Sequence, residues 1–276
     1  MKKFCLVLAL CMALTMTACD SDHVVSPTTA PTTTPATTAV PETTEAPVET
    51  TVPVETTVPV ETTVPVTEPE HSQLYIPGLS VEDVILYFNE VVLDAEYVES
   101  GSPELVQKWV NPIGYKINGT TTEKDMEVLE GFVAWLNTIE GFPGMFEAGE
   151  LYWPDLDIHF CTREELVNIL GDNYAGCDGG VTFWYDDNEI YTATICYVDD
   201  LDQEVRNSVI LEEIFNGLGP VQDSSLREDS IAYTGYSIPQ ELTEIDELIL
   251  KLLYHPDIVC GMNAEECEAV IRQLYY

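Results

Sequence analysis

The sequence predicts an α+β domain carried on a long unstructured stalk. Three observations lead there. Residues 1–70 hold an apolar leader and a low-complexity stretch with nothing to build a core from. The roughly 200 residues that follow are enough for one domain with a buried core. Within them, strand and helix patterns run in the order strand, helix, strands, helix and then helices only, which is the segregation of an α+β fold.

The leader comes first. Lys2 and Lys3 precede an apolar run from Phe4 to Met16, and Thr17-Ala18-Cys19 closes it. This is a secretory signal, too short for a permanent membrane span. Its ending resembles the lipobox of bacterial lipoproteins. That resemblance implies removal of residues 1–18 and lipidation of Cys19, which would anchor the chain to a membrane with its domain on the outer, cell-surface side. No other stretch is long and apolar enough to cross a bilayer.

Residues 19–70 form the stalk. Val48-Glu49-Thr50-Thr51 recurs at Val54-Glu55-Thr56-Thr57 and at Val60-Glu61-Thr62-Thr63. Such a Thr/Pro/Val/Glu composition cannot bury enough apolar surface to fold, and it favours extended, polyproline-like chain. At roughly 3 Å per residue, about fifty residues would reach on the order of 150 Å.

Residues 71–276 form the domain. Ser80 is a helix N-cap, followed at helical spacing by Val84, Phe88, Val91, Val92 and Ala95. Trp109 to Ile117 reads as one strand entered through Pro112. Thr122 starts a helix with Met126, Leu129, Phe132, Val133 and Leu136 on one side. Asp157 to Cys161 is a short strand, and Val181–Tyr185 with Ile190–Val198 make a pair around Asp186-Asp187-Asn188. A helix from about Asp202 to Leu218 stops at Gly219-Pro220. Two more begin at Thr243 and Asn263, with Asp246 and Glu266 at the capping-box places.

The segment from Leu211 to Asp223 has the outline of a metzincin zinc helix, whose pattern is His-Glu-x-x-His-x-x-Gly-x-x-His/Asp. Such a helix presents two histidines one turn apart to zinc, a glutamate that activates water, and a glycine that turns the chain toward the third ligand. Glu213 stands at the general-base place and Gly219 at the turn. Glu212 and Asn216 stand where the histidines belong, and Gln222 or Asp223 near the third ligand.

Further stretches occur in a familiar order. They are Trp109-Val110-Asn111-Pro112-Ile113, Asp157-Ile158-His159-Phe160, Glu212 to Gly219, Leu242 to Asp246, and Leu253-Tyr254-His255-Pro256 through Gly261-Met262. Over residues 75–274 they resemble the bacterial lipoproteins grouped as domain of unknown function 2927, which look like relatives of the zincin peptidases. The resemblance implies a zincin-like domain with a small mixed sheet and a degenerate active-site helix. It also makes Met262 the counterpart of the methionine turn beneath a metzincin site. No activity is established for that family, so the resemblance lends fold only.

The vestigial constellation is therefore Glu212, Glu213, Asn216, Gly219, Asp223 and Met262. Around the helix, Ile210, Leu211, Ile214, Phe215 and Leu218 fill one arc, and Glu212, Glu213 and Asn216 the opposite one, as on a helix with a solvated polar face. Carboxylate and amide oxygens suit a hard cation such as calcium better than zinc, and three of them make a weak site, so no cofactor is expected. Four histidines do not supply the missing ligands. His23 falls in the stalk and His71 at the domain edge, His159 alternates with apolar neighbours in a strand, and His255 ends a helix ahead of Pro256. The expected role is a non-catalytic binding or scaffolding module for a cell-surface or cell-wall partner. The competing expectation is a metal-dependent hydrolase with Glu213 as its base.

Charge narrows the partners. The chain carries −39 in formal charge, and without Lys2 and Lys3 it has eight basic residues against 49 acidic ones, or −41. Such a surface repels nucleic acid and offers no basic patch. Cys161, Cys177, Cys196, Cys260 and Cys267 lie in the domain, where disulfides persist outside the cell. Cys260 with Cys267 and Cys161 with Cys177 are reasonable pairs that leave Cys196 over, although spacing does not fix connectivity.

Overall fold

The computed structural model describes residues 3–7, 72–93, 105–235 and 237–276. Cys19, the stalk, His23, His71 and Ala95 lie outside them. β1 (Lys3–Val7) is followed by α1 (Val81–Phe88), which runs into one π-helical turn over Asn89–Leu93. Next come β2 (Lys108–Trp109), β3 (Ile113–Gly119), α2 (Glu123–Leu136), β4 (Met145–Glu147) and β5 (Leu156–Cys161). α3 (Arg163–Leu170), β6 (Gly179–Asp186), β7 (Glu189–Val198), α4 (Gln203–Gly217), α5 (Glu244–Leu253) and α6 (Ala264–Leu274) complete the order.

The fold is mixed α and β, around a sheet in the order β1-β6-β7-β5-β3-β4 with β2 also on β7. β2, β3, β4, β5 and β7 pair in parallel, whereas β6 is antiparallel to β7 and β1 antiparallel to β6. Parallel neighbours need crossovers, and helices supply them. The β6–β7 hairpin turns at Asp187 and Asn188, both at positive φ, as a two-residue turn requires.

Local chemistry starts the helices where expected. Ser80 Oγ accepts from the Asp83 N–H, and Thr122–Asp125, Thr243–Asp246 and Asn263–Glu266 form reciprocal capping boxes. Three expectations are corrected. The single strand from Trp109 to Ile117 is two strands: Pro112 has no N–H for a ladder, so β2 pairs with β7 and β3 with β4 and β5. The stretch between Cys161 and Cys177, expected as loop, contains α3, capped by a Thr162–Glu165 box. β4 was not expected at all.

The core lies between the sheet and α1, α2, α4 and α5, with Phe88, Leu129, Ile158, Phe183, Phe215 and Leu250 fully buried. Two polar devices cross it. Asp125 and Arg206 form a buried ion pair, with Arg206 Nε donating to Asp125 Oδ1 at 3.1 Å. Tyr87 donates to Ser230 Oγ at 2.5 Å and Ser230 to Asp246 Oδ1 at 2.5 Å, which gives the buried Asp246 carboxyl a partner.

The start and end of the domain meet. The Ser72 N–H donates to the Tyr276 carbonyl. Tyr275 Oη donates toward the Ile76 and Leu79 carbonyls at 3.1 and 3.0 Å, and Arg272 on α6 pairs with Glu82 on α1 at 2.9 Å.

Candidate functional site

α4 packs against α2 and against β6 and β7, so it is covered from two directions. That position overturns the expected solvated face. Ile210, Ile214, Phe215 and Leu218 are buried, but so are Glu213 at 1 % exposure and Asn216 at 2 %. Glu212 is half-buried. Hydrophobic periodicity on one helix cannot register a second covering layer.

The C-terminal end of α4 is held by side chains from elsewhere. Trp109 Nε1 donates to the Gly217 carbonyl at 2.9 Å, and Tyr254 Oη to the Leu218 carbonyl at 2.7 Å, so two carbonyls left open by the helix end find donors. Gly219 then turns the chain at φ +131°, and a Cβ there would lie 2.5 Å from the Gln107 carbonyl oxygen. Only glycine fits. The expected turn is present, and it returns the chain to the π turn, where the Val221 N–H donates to the Val91 carbonyl at 2.7 Å.

Around this end the structure assembles a row of acidic and amide groups. Burial pushes the Glu212 carboxyl up to about 8, and the charges of Asp223 and Asp178 push in the same direction. Burial likewise holds Glu213 well above the usual carboxylate range, with Glu212, Asp223 and Cys177 adding to it. Glu212, Glu213 and Asp223 are thus brought into one electrostatic neighbourhood. Glu213 Oε2 and Asn216 Oδ1 have no hydrogen-bond partner among the described residues. Buried polar atoms of that kind are costly, and they recur where a ligand is to be met.

The donor set does not suit zinc. Asn216 offers a neutral amide oxygen, and a carboxyl that keeps its proton is a poor ligand. Among the described residues, no three His, Cys, Asp or Glu side chains converge as metal ligands.

Met262 closes its own turn: its sulfur accepts from the Val259 N–H at 3.2 Å, and its carbonyl accepts from the Val106 N–H at 2.9 Å. His255 Nδ1 accepts from the Asp257 N–H at 3.2 Å, a local role at a helix end. His159 lines a separate cavity of about 370 Å³ with Cys161, Glu165 and Asp199. Cys161 lies in hydrogen-bond contact with Cys196, the cysteine expected to be left over, and all five domain cysteines are thiols.

Sequence reasoning missed Lys108. It is buried and donates to the carbonyls of Leu253 and Ile258 at 2.7 and 2.5 Å, and burial lowers its ammonium to about 8. A lone lysine between Gln107 and Trp109 at a strand start carried no signal of this.

A family model described as a protein of unknown function (DUF2927) matches residues 82–273, from the first turn of α1 to the last turn of α6. No curated protein and no solved structure matches the chain.

Proposed function

For this chain, which belongs to the DUF2927 family, we propose a non-catalytic binding module on a degenerate zincin-like fold. In this reading Cys19 carries a lipid anchor, and the stalk over residues 19–70 holds the domain outside a bacterial membrane, where it meets a cell-surface or cell-wall partner. Among the described residues, no helix is long and apolar enough to cross a membrane.

One observation carries the reading. The row in which a zinc peptidase would place its ligands is here two proton-holding carboxyls and an amide, with Glu213 Oε2 and Asn216 Oδ1 unsatisfied. A neutral acid and an amide can donate to and accept from a bound partner, but they neither hold zinc nor take a proton from water. A sheet whose β6 runs antiparallel to β7 beside the α4 helix further supports a zincin-like layout.

The test is elemental analysis of protein purified without chelator, paired with peptide-cleavage assays. The expected result is no stoichiometric zinc and no cleavage that chelators abolish. A second reading is favoured by the adjacent Glu212 and Glu213 carboxyls, since carboxyls raised above their ordinary range suit acid–base chemistry. It is a hard-cation-dependent hydrolase working through Glu213. Chelator-sensitive cleavage that Glu213→Gln removes would establish it instead.

A further inference from the structure

The sheet face turned away from the main core carries a second, smaller core. Along β5, Leu156, Ile158 and Phe160 enter the main core, so Asp157, His159 and Cys161 take the opposite face. In the parallel register His159 stands opposite Cys196 and Cys161 opposite Val198, which puts Cys196 and Val198 on that face too. α3 packs across them. Cys161, Cys196 and Val198 form a buried cluster there with Leu166, Leu170, Tyr174 and Cys177.

The thiols of this cluster are not equivalent. Cys161 also lines the cavity of about 370 Å³, beside His159, Glu165, Asn168 and Asp199, and that volume is on the scale of a small-ligand site. Cys196 lies fully buried at its side. The two sulfurs are in hydrogen-bond contact with Cys196 as donor. That bond lowers the Cys161 thiol below its ordinary range, and the same bond, with burial, holds the Cys196 thiol far above it. The thiolate is the attacking form of cysteine, so Cys161 reacts first and Cys196 follows.

We propose that Cys161 and Cys196 are a reactive dithiol that meets a small disulfide at this cavity and is converted to a Cys161–Cys196 cross-link beneath α3. The exchange takes two steps, and the small disulfide is its only oxidant. First, the Cys161 thiolate bonds to one sulfur of the incoming disulfide. The disulfide bond breaks, and the other sulfur leaves with the electron pair and takes up the proton that Cys161 gave off. Next, Cys196 bonds to Cys161 Sγ, and the second small thiol leaves with the Cys196 proton. Two protein thiols are thereby oxidised by two electrons, and one small disulfide is reduced to two thiols. The pairing differs from Cys161 with Cys177, which spacing suggested, because strand register brings Cys196 nearer to hand. It is independent of the role assigned to α4.

The test uses the full chain in detergent, freed of reductant and then given oxidised glutathione. Remaining thiols are alkylated at timed intervals, and the cysteine peptides are mapped by mass spectrometry. The expected product joins Cys161 to Cys196, and it should form about tenfold or more faster than the Cys177, Cys260 or Cys267 thiol is lost. Cys196→Ser should stop the reaction with glutathione held on Cys161, and Cys161→Ser should leave Cys196 a thiol. Cross-linking of Cys161 to Cys177 overturns the proposal, as does first reaction at Cys177, Cys260 or Cys267. A pair that reacts only after urea has unfolded the domain overturns it too, since both thiols would then be sealed core residues. The unsubstituted chain decides all three of these outcomes, even where a serine variant fails to fold.

Discussion

Glu213 can lie against β6 because Gly179 has no side chain. A Cβ at Gly179 would sit 2.8 Å from Glu213 Oε1 and 2.5 Å from Val209 Cγ1. Gly179→Ala should therefore destabilise the domain by about 1–3 kcal/mol, the usual cost of overfilling a packed interior. Adding Glu213→Ala should recover part of that loss, which denaturant unfolding of both single variants and the double variant would show as non-additivity. Additive costs would mean that the two residues do not share the space.

Acidity should stabilise the fold. Glu212 and Glu213 keep their protons in the folded protein to higher pH than in the unfolded chain. Through Glu212 the folded state therefore binds more protons between the ordinary glutamate value of 4.5 and about 8, and Glu213 adds to this in the same direction. The stability from these groups is fully present below that window and is lost as pH rises through it. The slope is at most about 1.4 kcal/mol per pH unit for each group, and less for Glu212, which touches solvent. The buried Asp246, also raised, adds the same sign. Thermal melts across the window should show a falling Tm, and Glu212→Gln or Glu213→Gln should flatten the fall.

The Asp125–Arg206 pair should be costly to break and cheap to replace. Asp125→Asn keeps an acceptor for the Thr122 N–H, which donates to Asp125 Oδ2 at 2.7 Å. It leaves Arg206, 7 % exposed, without its counter-charge. A loss of about 3–5 kcal/mol is expected, with part of it recovered when Arg206→Met is added. Urea unfolding of the three variants checks this.

The anchor is tested by labelling. Radiolabelled palmitate should enter the protein in a bacterial host and fail to enter Cys19→Ser. Labelling that persists in that variant would remove the lipid from the proposed function.

Helix starts were legible because caps are local: Ser80, Thr122, Thr243 and Asn263 each find their donor within three residues. α3 carried the same signal at Thr162 and Glu165, but two flanking cysteines made the segment look like a loop. β4 is three residues beside Gly144, too short for any period to register. Spacing marked Glu212, Glu213, Asn216, Gly219 and Asp223 as candidates, and the structure brings Glu212, Glu213 and Asp223 into one electrostatic neighbourhood. The burial of Glu213 and Asn216 could not be read, because it comes from β6, β7 and α2 closing over α4. The Cys161–Cys196 contact was hidden because it comes from strand pairing: His159 stands opposite Cys196 in the β5–β7 register, which makes Cys161, two residues on, its diagonal neighbour.

The bond from Ser72 to Tyr276 has a mechanical meaning. A pull arriving through residue 72 first meets α6, since Tyr275 bonds the Ile76 and Leu79 carbonyls and Arg272 grips Glu82. To peel α1 away, that pull must also break these bonds to the C-terminal end. If the stalk of the proposed function tethers the domain, the domain is clasped at its point of suspension. The same closeness of residues 72 and 276 makes circular permutation feasible: a short linker would join them, and new ends could open at the exposed Leu151–Trp153 stretch.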